Sequence, residues 1–320
     1  MRLILVGPGA FGAKHLEALS AIKGVEIVSE VGPNPEQAGA LAKKHGVGAI
    51  DTCLDEALER TEVDAVILTS PSHLHADQAS ACLRAGKHVA VEIPAGLNWP
   101  EILALSDLST QTNRICSVGH TRRYNPSHQW IKRRVDKGDF SLQHMNVQTF
   151  FFRRENTNAL GEERDWTDHL LWHHAAHTVD LFLYQTNEMI CAANILAGPV
   201  DDVLGIALDM SIQLQTERGK LLTLALSFNN EGSLGTEFRY IGDTGTYIAK
   251  YDELNTGDDQ IIDVSDVDVS MNGFELQDRD FIESIERNRT PVSAIQNVLP
   301  SYELLRDLEA QLFDQNRGYH

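Results

Sequence analysis

The sequence predicts an α/β protein: an N-terminal Rossmann-type, doubly wound parallel sheet, followed by an α+β domain on a large, mostly antiparallel open sheet. Three observations carry this. The apolar run Leu3-Ile4-Leu5-Val6 leads straight into Gly7-Pro8-Gly9-Ala10-Phe11-Gly12. Strand and helix patterns then alternate up to residue 120, as in βα units. Beyond it the extended runs lengthen and alternate apolar with polar residues. Single hydrophobic cores stop growing before a length of 320 residues, so two domains are expected, 1–120 and 121–320.

Residues 3–6 are continuously apolar, as in a strand buried on both faces. In the G-x-G-x-x-G that follows, Gly7 makes the tight turn, Gly9 lets a pyrophosphate approach the backbone, and Gly12 permits close packing of helix on strand. The N-terminus of the helix that follows offers free N–H groups and a positive dipole end to the phosphates. Residues 14–23 are helical in pattern, with Leu16, Leu19 and Ile22 on one side, and 25–28 form the next strand. A ribose-binding carboxylate is expected at the end of that strand, but the position falls on Gly32, with Glu30 pointing into the sheet layer. The missing acid favours NADP and leaves NAD open; Asn34, Lys43 and Lys44 are the nearby polar groups.

The alternation continues with a helix at 55–60, a strand at 63–68, the loop Thr69-Ser70-Pro71-Ser72-His73-Leu74-His75, a helix at 76–85 and a strand at 87–91. That strand ends in Glu92-Ile93-Pro94; a helix at 99–111 and a strand at 114–118 complete the sheet. Ligands of such sheets bind outside the C-terminal strand ends, here Gly7, Ser70, Glu92 and Gly119. In the second half, strands are read at 143–153, 190–197, 206–215, 220–228, 237–241 and 246–249, with a hairpin turn at 242–245 and terminal helices at 281–286 and 302–313.

The net charge of −19 repels nucleic acid and anionic membranes. Residues 121–164 nevertheless hold nine Lys or Arg against five Asp or Glu, so a small anionic substrate is expected there. Four scattered cysteines without a CxxC pair, and a chain that enters a strand at once without a signal peptide, point to the cytoplasm. No apolar run has the length of a membrane span.

Residues 168–183 are helical in pattern and carry His169, His173, His174 and His177. On a regular helix 169, 173 and 177 fall within an arc of about 80°. Imidazole titrates near neutrality, so this face suits proton removal from a hydroxyl during hydride transfer. Buried structural histidines are the competing reading. A metal site is not expected, because no His-Glu-x-x-His pattern is present.

The glycine motif, Ser70-Pro71-x-x-x-His75, Glu92-x-Pro94, Arg123-x-x-Pro126 and His177-x-x-Asp180-Leu181 together resemble the glucose-fructose oxidoreductase, inositol dehydrogenase and rhizopine-catabolism (Gfo/Idh/MocA) family over essentially the whole chain. The resemblance implies a nicotinamide cofactor held by Gly7, Gly9, Ala10, Phe11, Gly12, Ser70, His75, Glu92 and Pro94. It puts His177 in the family's catalytic position, His173 second, and Asp180 as an orienting carboxylate. A closer likeness within the family runs through Gly119-His120-Thr121-Arg122-Arg123-Tyr124-Asn125-Pro126, Phe151-Phe152-Arg153-Arg154 and the stretch from Trp166 to Leu181. It implies NADP-linked oxidation of a dicarboxylated semialdehyde, as its cyclic hemiacetal, to a lactone. His120, Arg122, Arg123, Arg153, Arg154 and His169 are then the substrate-binding residues, one Arg of each adjacent pair facing the ligand. A homodimer or homotetramer is implied as well.

Two departures stand out. The Lys usual in the family's Glu-x-Pro is Ile93, and the Asp usual four residues before the catalytic His is His173. The commonest proton machinery of the family is therefore absent. Another carboxylated sugar or cyclitol as substrate, or a non-catalytic NADP-sensing protein, are the alternative readings.

Overall fold

The computed structural model describes residues 1–157, 161, 163, 164 and 167–317, with backbone alone at 315–317. The chain divides into two compact units. One comprises Met1–His120 with Phe274–Leu299, the other Thr121–Gly273 with Pro300–His320. The sequence divides the chain once, after residue 120; the structure also returns Phe274–Leu299 to the first unit.

The first unit holds β1 (Arg2–Val6), α1 (Ala10–Ser20), β2 (Glu26–Val31), α2 (Pro35–His45), β3 (Ile50–Asp51), α3 (Leu54–Leu58), β4 (Ala65–Leu68), α4 (His75–Arg84), β5 (His88–Val91), α5 (Trp99–Thr112) and β6 (Cys116–Val118). All six strands are parallel, in the order β3-β2-β1-β4-β5-β6. This doubly wound order reverses between β1 and β4, which sets the ligand crevice at their C-terminal ends. Leu3, Leu5, Leu16, Leu19 and Ile67 form a core that Phe281 and Ile282 join. Burial of those two side chains explains why the later segment belongs here.

The second unit follows with α6 (Pro126–Lys137), β7 (Leu142–Phe150), α7 (Ala176–Thr186), β8 (Ile190–Ala197), β9 (Asp209–Thr216), β10 (Leu221–Ser227), β11 (Gly235–Gly242), β12 (Gly245–Lys250) and β13 (Glu253–Thr256). Its seven strands run β13-β12-β11-β7-β10-β9-β8. Only β7 with β10 is parallel, so the sheet is mixed and mostly antiparallel as expected. One face is buried through Met145, Val147, Ile212, Leu214, Leu222, Leu224, Phe238 and Tyr240. The remaining helices are α8 (Gly273–Glu286) and α9 (Ile295–Arg317). Among the described residues no helix is long and apolar enough to cross a membrane.

Glu30 lies fully buried on β2 with neither carboxyl oxygen hydrogen-bonded. Burial pushes its carboxyl up to about 7. The native state therefore keeps a proton that the unfolded chain loses near pH 4.5. The associated stability is present below that pH and is lost as pH rises through about 7, a decline of about 3 kcal/mol. Glu30→Gln is expected to flatten it, as measured by urea unfolding on either side of neutrality; an equal decline in the variant would assign it to another group.

Candidate active site

The glycine turn has the geometry a pyrophosphate needs. Gly7 has φ of +104°, and a Cβ there would lie 2.6 Å from the Thr69 carbonyl carbon. A Cβ on Gly12 would lie 2.2 Å from the Gly7 carbonyl oxygen, so only glycine lets α1 close on β1. Gly9 has nothing within 4 Å, which leaves open space where the ligand would approach. Gly9 is also the N-cap of α1 and supplies no side-chain cap, so the first N–H groups of the helix face that space. Ala10 opens α1, and Phe11 is exposed with the Lys14 ammonium 4.9 Å from its ring centre. These residues fit a dinucleotide.

At the end of β2, a Cβ on Gly32 would come within 2.7 Å of the Pro8 ring. No side chain fits the position of the ribose-binding acid. Asn34 instead caps α2, its Oδ1 accepting from the Glu36 and Gln37 N–H groups at 3.0 and 3.3 Å.

At the ends of β4 and β5 the buried His75 has Nδ1 2.8 Å from the Pro94 carbonyl oxygen and Nε2 2.8 Å from that of Ser70. Burial holds this imidazole below its usual range, against the pull of those two carbonyls. Both ring nitrogens meet backbone, so His75 shapes the Ser70 and Pro94 loops; the direct cofactor contact expected of it is not what its ring is placed for. Glu92 caps β5 with its side chain 12% exposed, and the Ile93–Pro94 bond is cis. His120 is buried just beyond β6, its backbone N–H donating to the Val118 carbonyl at 2.7 Å.

In the second unit, the regular arc of three histidines is not formed. Residues Leu170–Ala175 make a π-helical turn before α7, and His169 is its N-cap in an extended conformation. The i→i+5 turn breaks the 3.6-residue spacing that the sequence reading assumed. His169 Nδ1 accepts from the Leu171 N–H at 3.2 Å, and His173 Nδ1 accepts from the His169 N–H at 2.9 Å. A ring nitrogen that accepts carries no proton, so each neutral ring bears its proton on Nε2; this tautomer is assigned from the hydrogen-bond geometry. Both rings are therefore donors at Nε2. Burial, followed by the neighbouring His174 charge, holds His169 below its usual value. His177 lies in the first turn of α7, half-buried.

Asp168, just before this turn, gathers the cations. Arg153 Nη1 lies 2.8 Å and Arg164 Nη1 3.2 Å from its carboxylate, with His174 Nε2 at 3.9 Å. Burial opposes ionisation of Asp168, but His174 and Arg153 outweigh it and hold the carboxyl well below its usual range. Two guanidinium groups on one carboxylate leave a surplus of positive charge. Arg153 also lies over the Phe228 ring at 4.7 Å, whereas Arg154 is exposed and donates to the Arg153 carbonyl at 2.9 Å. Trp166 lies outside the described residues.

The other arginine pair separates more sharply. Arg123, 4% exposed, makes a bidentate pair with Asp180, both bonds 2.7 Å, and Ser301 Oγ donates to the same carboxylate at 2.8 Å. This corrects one expectation: Arg123 has its fork turned to Asp180 and not to a substrate carboxylate. Asp180 anchors Arg123. Arg122 lies 4.9 Å from the Tyr251 ring centre and 5.7 Å from that of Phe238. Asp168, His15 as the partner of Glu92, and Asp278 as the partner of His15 do not stand out as site residues in the sequence. A buried His three residues past Gly12 was a usable signal; Asp278 offered none.

Residues 1–120 match the oxidoreductase family described by its NAD-binding Rossmann fold, and 126–268 match the bacterial oxidoreductase C-terminal family. The chain belongs to the Gfo/Idh/MocA family and is an oxidoreductase. It is 56% identical over 315 residues to a 4-carboxy-2-hydroxymuconate-6-semialdehyde dehydrogenase of Sphingobium sp. (strain SYK-6), covering 98% of this chain and 100% of that relative. An inositol 2-dehydrogenase of Saccharopolyspora erythraea is 27% identical over 240 residues, 68% of this chain and 69% of the relative. Among solved structures, scyllo-inositol dehydrogenase from Lactobacillus casei with bound NAD(H) and scyllo-inositol superposes with a TM-score of 0.78 at 20% identity, covering 97% and 96% of the two chains. An oxidoreductase domain protein from Kribbella flavida gives a TM-score of 0.84 at 18% identity over 98% and 97%.

Proposed function

We propose that this protein oxidises 4-carboxy-2-hydroxymuconate-6-semialdehyde, as its cyclic hemiacetal, to 2-pyrone-4,6-dicarboxylate, with NADP, in protocatechuate 4,5-cleavage. The observation that carries the reading is the full-length 56% identity to a dehydrogenase of that name. The cofactor, when bound, accepts the hydride. The residues of the chain do the rest. Gly9 and the N-terminus of α1 take the pyrophosphate, and Glu92, beyond the sheet's reversal, lies on the nicotinamide half. His177 takes the hemiacetal proton, since His169 and His173 have Nδ1 committed to backbone N–H groups and act as donors through Nε2. Arg153 and Arg164, in charge surplus over Asp168, and Arg122 receive the two substrate carboxylates. The absence of room at Gly32 for a ribose-binding acid supports NADP over NAD.

The test is to mix the protein with the semialdehyde and either nicotinamide nucleotide and follow reduced-cofactor absorbance together with lactone formation. NADP is expected to be used with at least about tenfold higher kcat/KM than NAD, a difference of about 1.4 kcal/mol. No lactone with either nucleotide would defeat the reading, and equal use would defeat the cofactor assignment alone.

Exposed apolar residues at and after β8 support self-association: Leu196 on β8 is 55% exposed, and Val200 and Val203 in the loop that follows are more so. A homodimer or homotetramer is the expected species in light scattering, and a monomer mass at working concentration would exclude it.

A further inference from the structure

We propose that His15 and Asp278 are positioning residues that fix the Glu92 carboxylate at the nicotinamide half of the crevice. His15 Nε2 lies 3.0 Å from Glu92 Oε1, and His15 Nδ1 lies 2.9 Å from both Asp278 oxygens. His15 and Asp278 side chains are each 1% exposed, against 12% for Glu92, so the trio runs from the protein interior to the crevice edge. Both ring nitrogens face carboxylates, and only imidazolium donates at both. Burial by itself lowers the imidazole, but the Asp278 charge and hydrogen bond, then those of Glu92, push it up to about 10.

The surroundings of Glu92 are close-fitting. A Cβ on Gly119 would lie 2.8 Å from Glu92 Oε1, so the carboxylate occupies space that glycine alone leaves free. Beside the trio, a cavity of ≈ 10 Å³ is bordered by Ser117 and Gln277, about the room of one water. With His15 as the imidazolium donating to both carboxylates, the trio carries two negative charges and one positive; burial raises the Asp278 carboxyl, and the His15 charge and hydrogen bond oppose that rise. Its net charge of −1 at the strand ends favours the oxidised nicotinamide, which is cationic, over the reduced ring. Residues 274–299 thus contribute chemistry as well as core: α8 brings Asp278 to His15 across 263 positions of sequence.

The inference rests on the proposed placement of Glu92 toward the cofactor, and a double-mutant cycle separates the two. NADP and NADPH affinities are measured by protein fluorescence for Glu92→Gln, His15→Gln and both together, with thermal unfolding alongside. Each single change is expected to weaken NADP about tenfold, NADPH less, and the double change to be no worse than either single one. Additive losses, about a hundredfold in the double variant, would overturn the coupling. A His15→Gln protein with lowered Tm and unchanged NADP affinity would make His15 structural and overturn it too. Unchanged affinity in Glu92→Gln would overturn both the inference and the placement of Glu92. Asp278→Asn keeps the side-chain shape and serves if His15→Gln does not fold; it is expected to weaken NADP severalfold, with no further loss in the Glu92→Gln background.

Discussion

Replacing His177 by Asn lowers turnover by about a thousandfold and leaves NADP affinity within a factor of about two, because the change removes a base while retaining size and polarity. The reason for choosing His177 over His173 is the direction of two hydrogen bonds. His173 and His169 each accept a backbone N–H at Nδ1 and already carry their proton on Nε2, so taking up a further proton would mean protonating Nδ1 and breaking the backbone contact. Steady-state rates with the semialdehyde and a fluorescence titration with NADP check the two halves of the expectation. A His177→Asn protein at full rate would move the base elsewhere, and a His173→Asn protein losing more than His177→Asn would reverse the order.

Asp180→Asn is expected to destabilise the protein by about 3–5 kcal/mol, the cost typical of taking one partner from a buried, bidentate ion pair. Arg123 is 4% exposed and Asp180 fully buried, so removal of the carboxylate leaves the guanidinium charge with little water to replace it. The measurement is chemical unfolding of variant and parent. If the variant instead unfolds like the parent but turns over far more slowly, Asp180 acts in catalysis, as its position one turn after His177 first implied. The paired change Asp180→Leu with Arg123→Met should recover much of the stability, because it removes the charge that was stranded.

Local signals carried most of the fold. The Gly7–Gly12 turn, the continuous buried runs at 3–6 and 65–68, and the period-two alternation in β9 and β10 are all local patterns, which a sequence displays directly. The helices α2 and α6 were overlooked although their frames are visible: Asn34-Pro35 before and Gly46 after the first, Pro126 and Gly138 around the second. The π turn at Leu170–Ala175 left no such mark: π turns are rare, and this stretch has no Gly or Pro to signal one. The same holds within the site. Arginines at 122, 123, 153 and 154 were correctly seen as a charge concentration, but which ones already have partners depends on Asp168 and Asp180. Those contacts are set by tertiary geometry.

The fit of Gly32 against Pro8 bears on how cofactor preference in this chain can be altered. The customary way to steer a dinucleotide fold toward NAD is one acidic substitution at the second strand's end. That route is closed here, because even the first carbon of a new side chain would come within 2.7 Å of the proline ring. A redesign has to begin inside the glycine turn itself, exchanging Pro8 for a smaller residue before anything is placed at 32. The two ends of the nucleotide groove, phosphate turn and ribose pocket, thus form a single mutational unit.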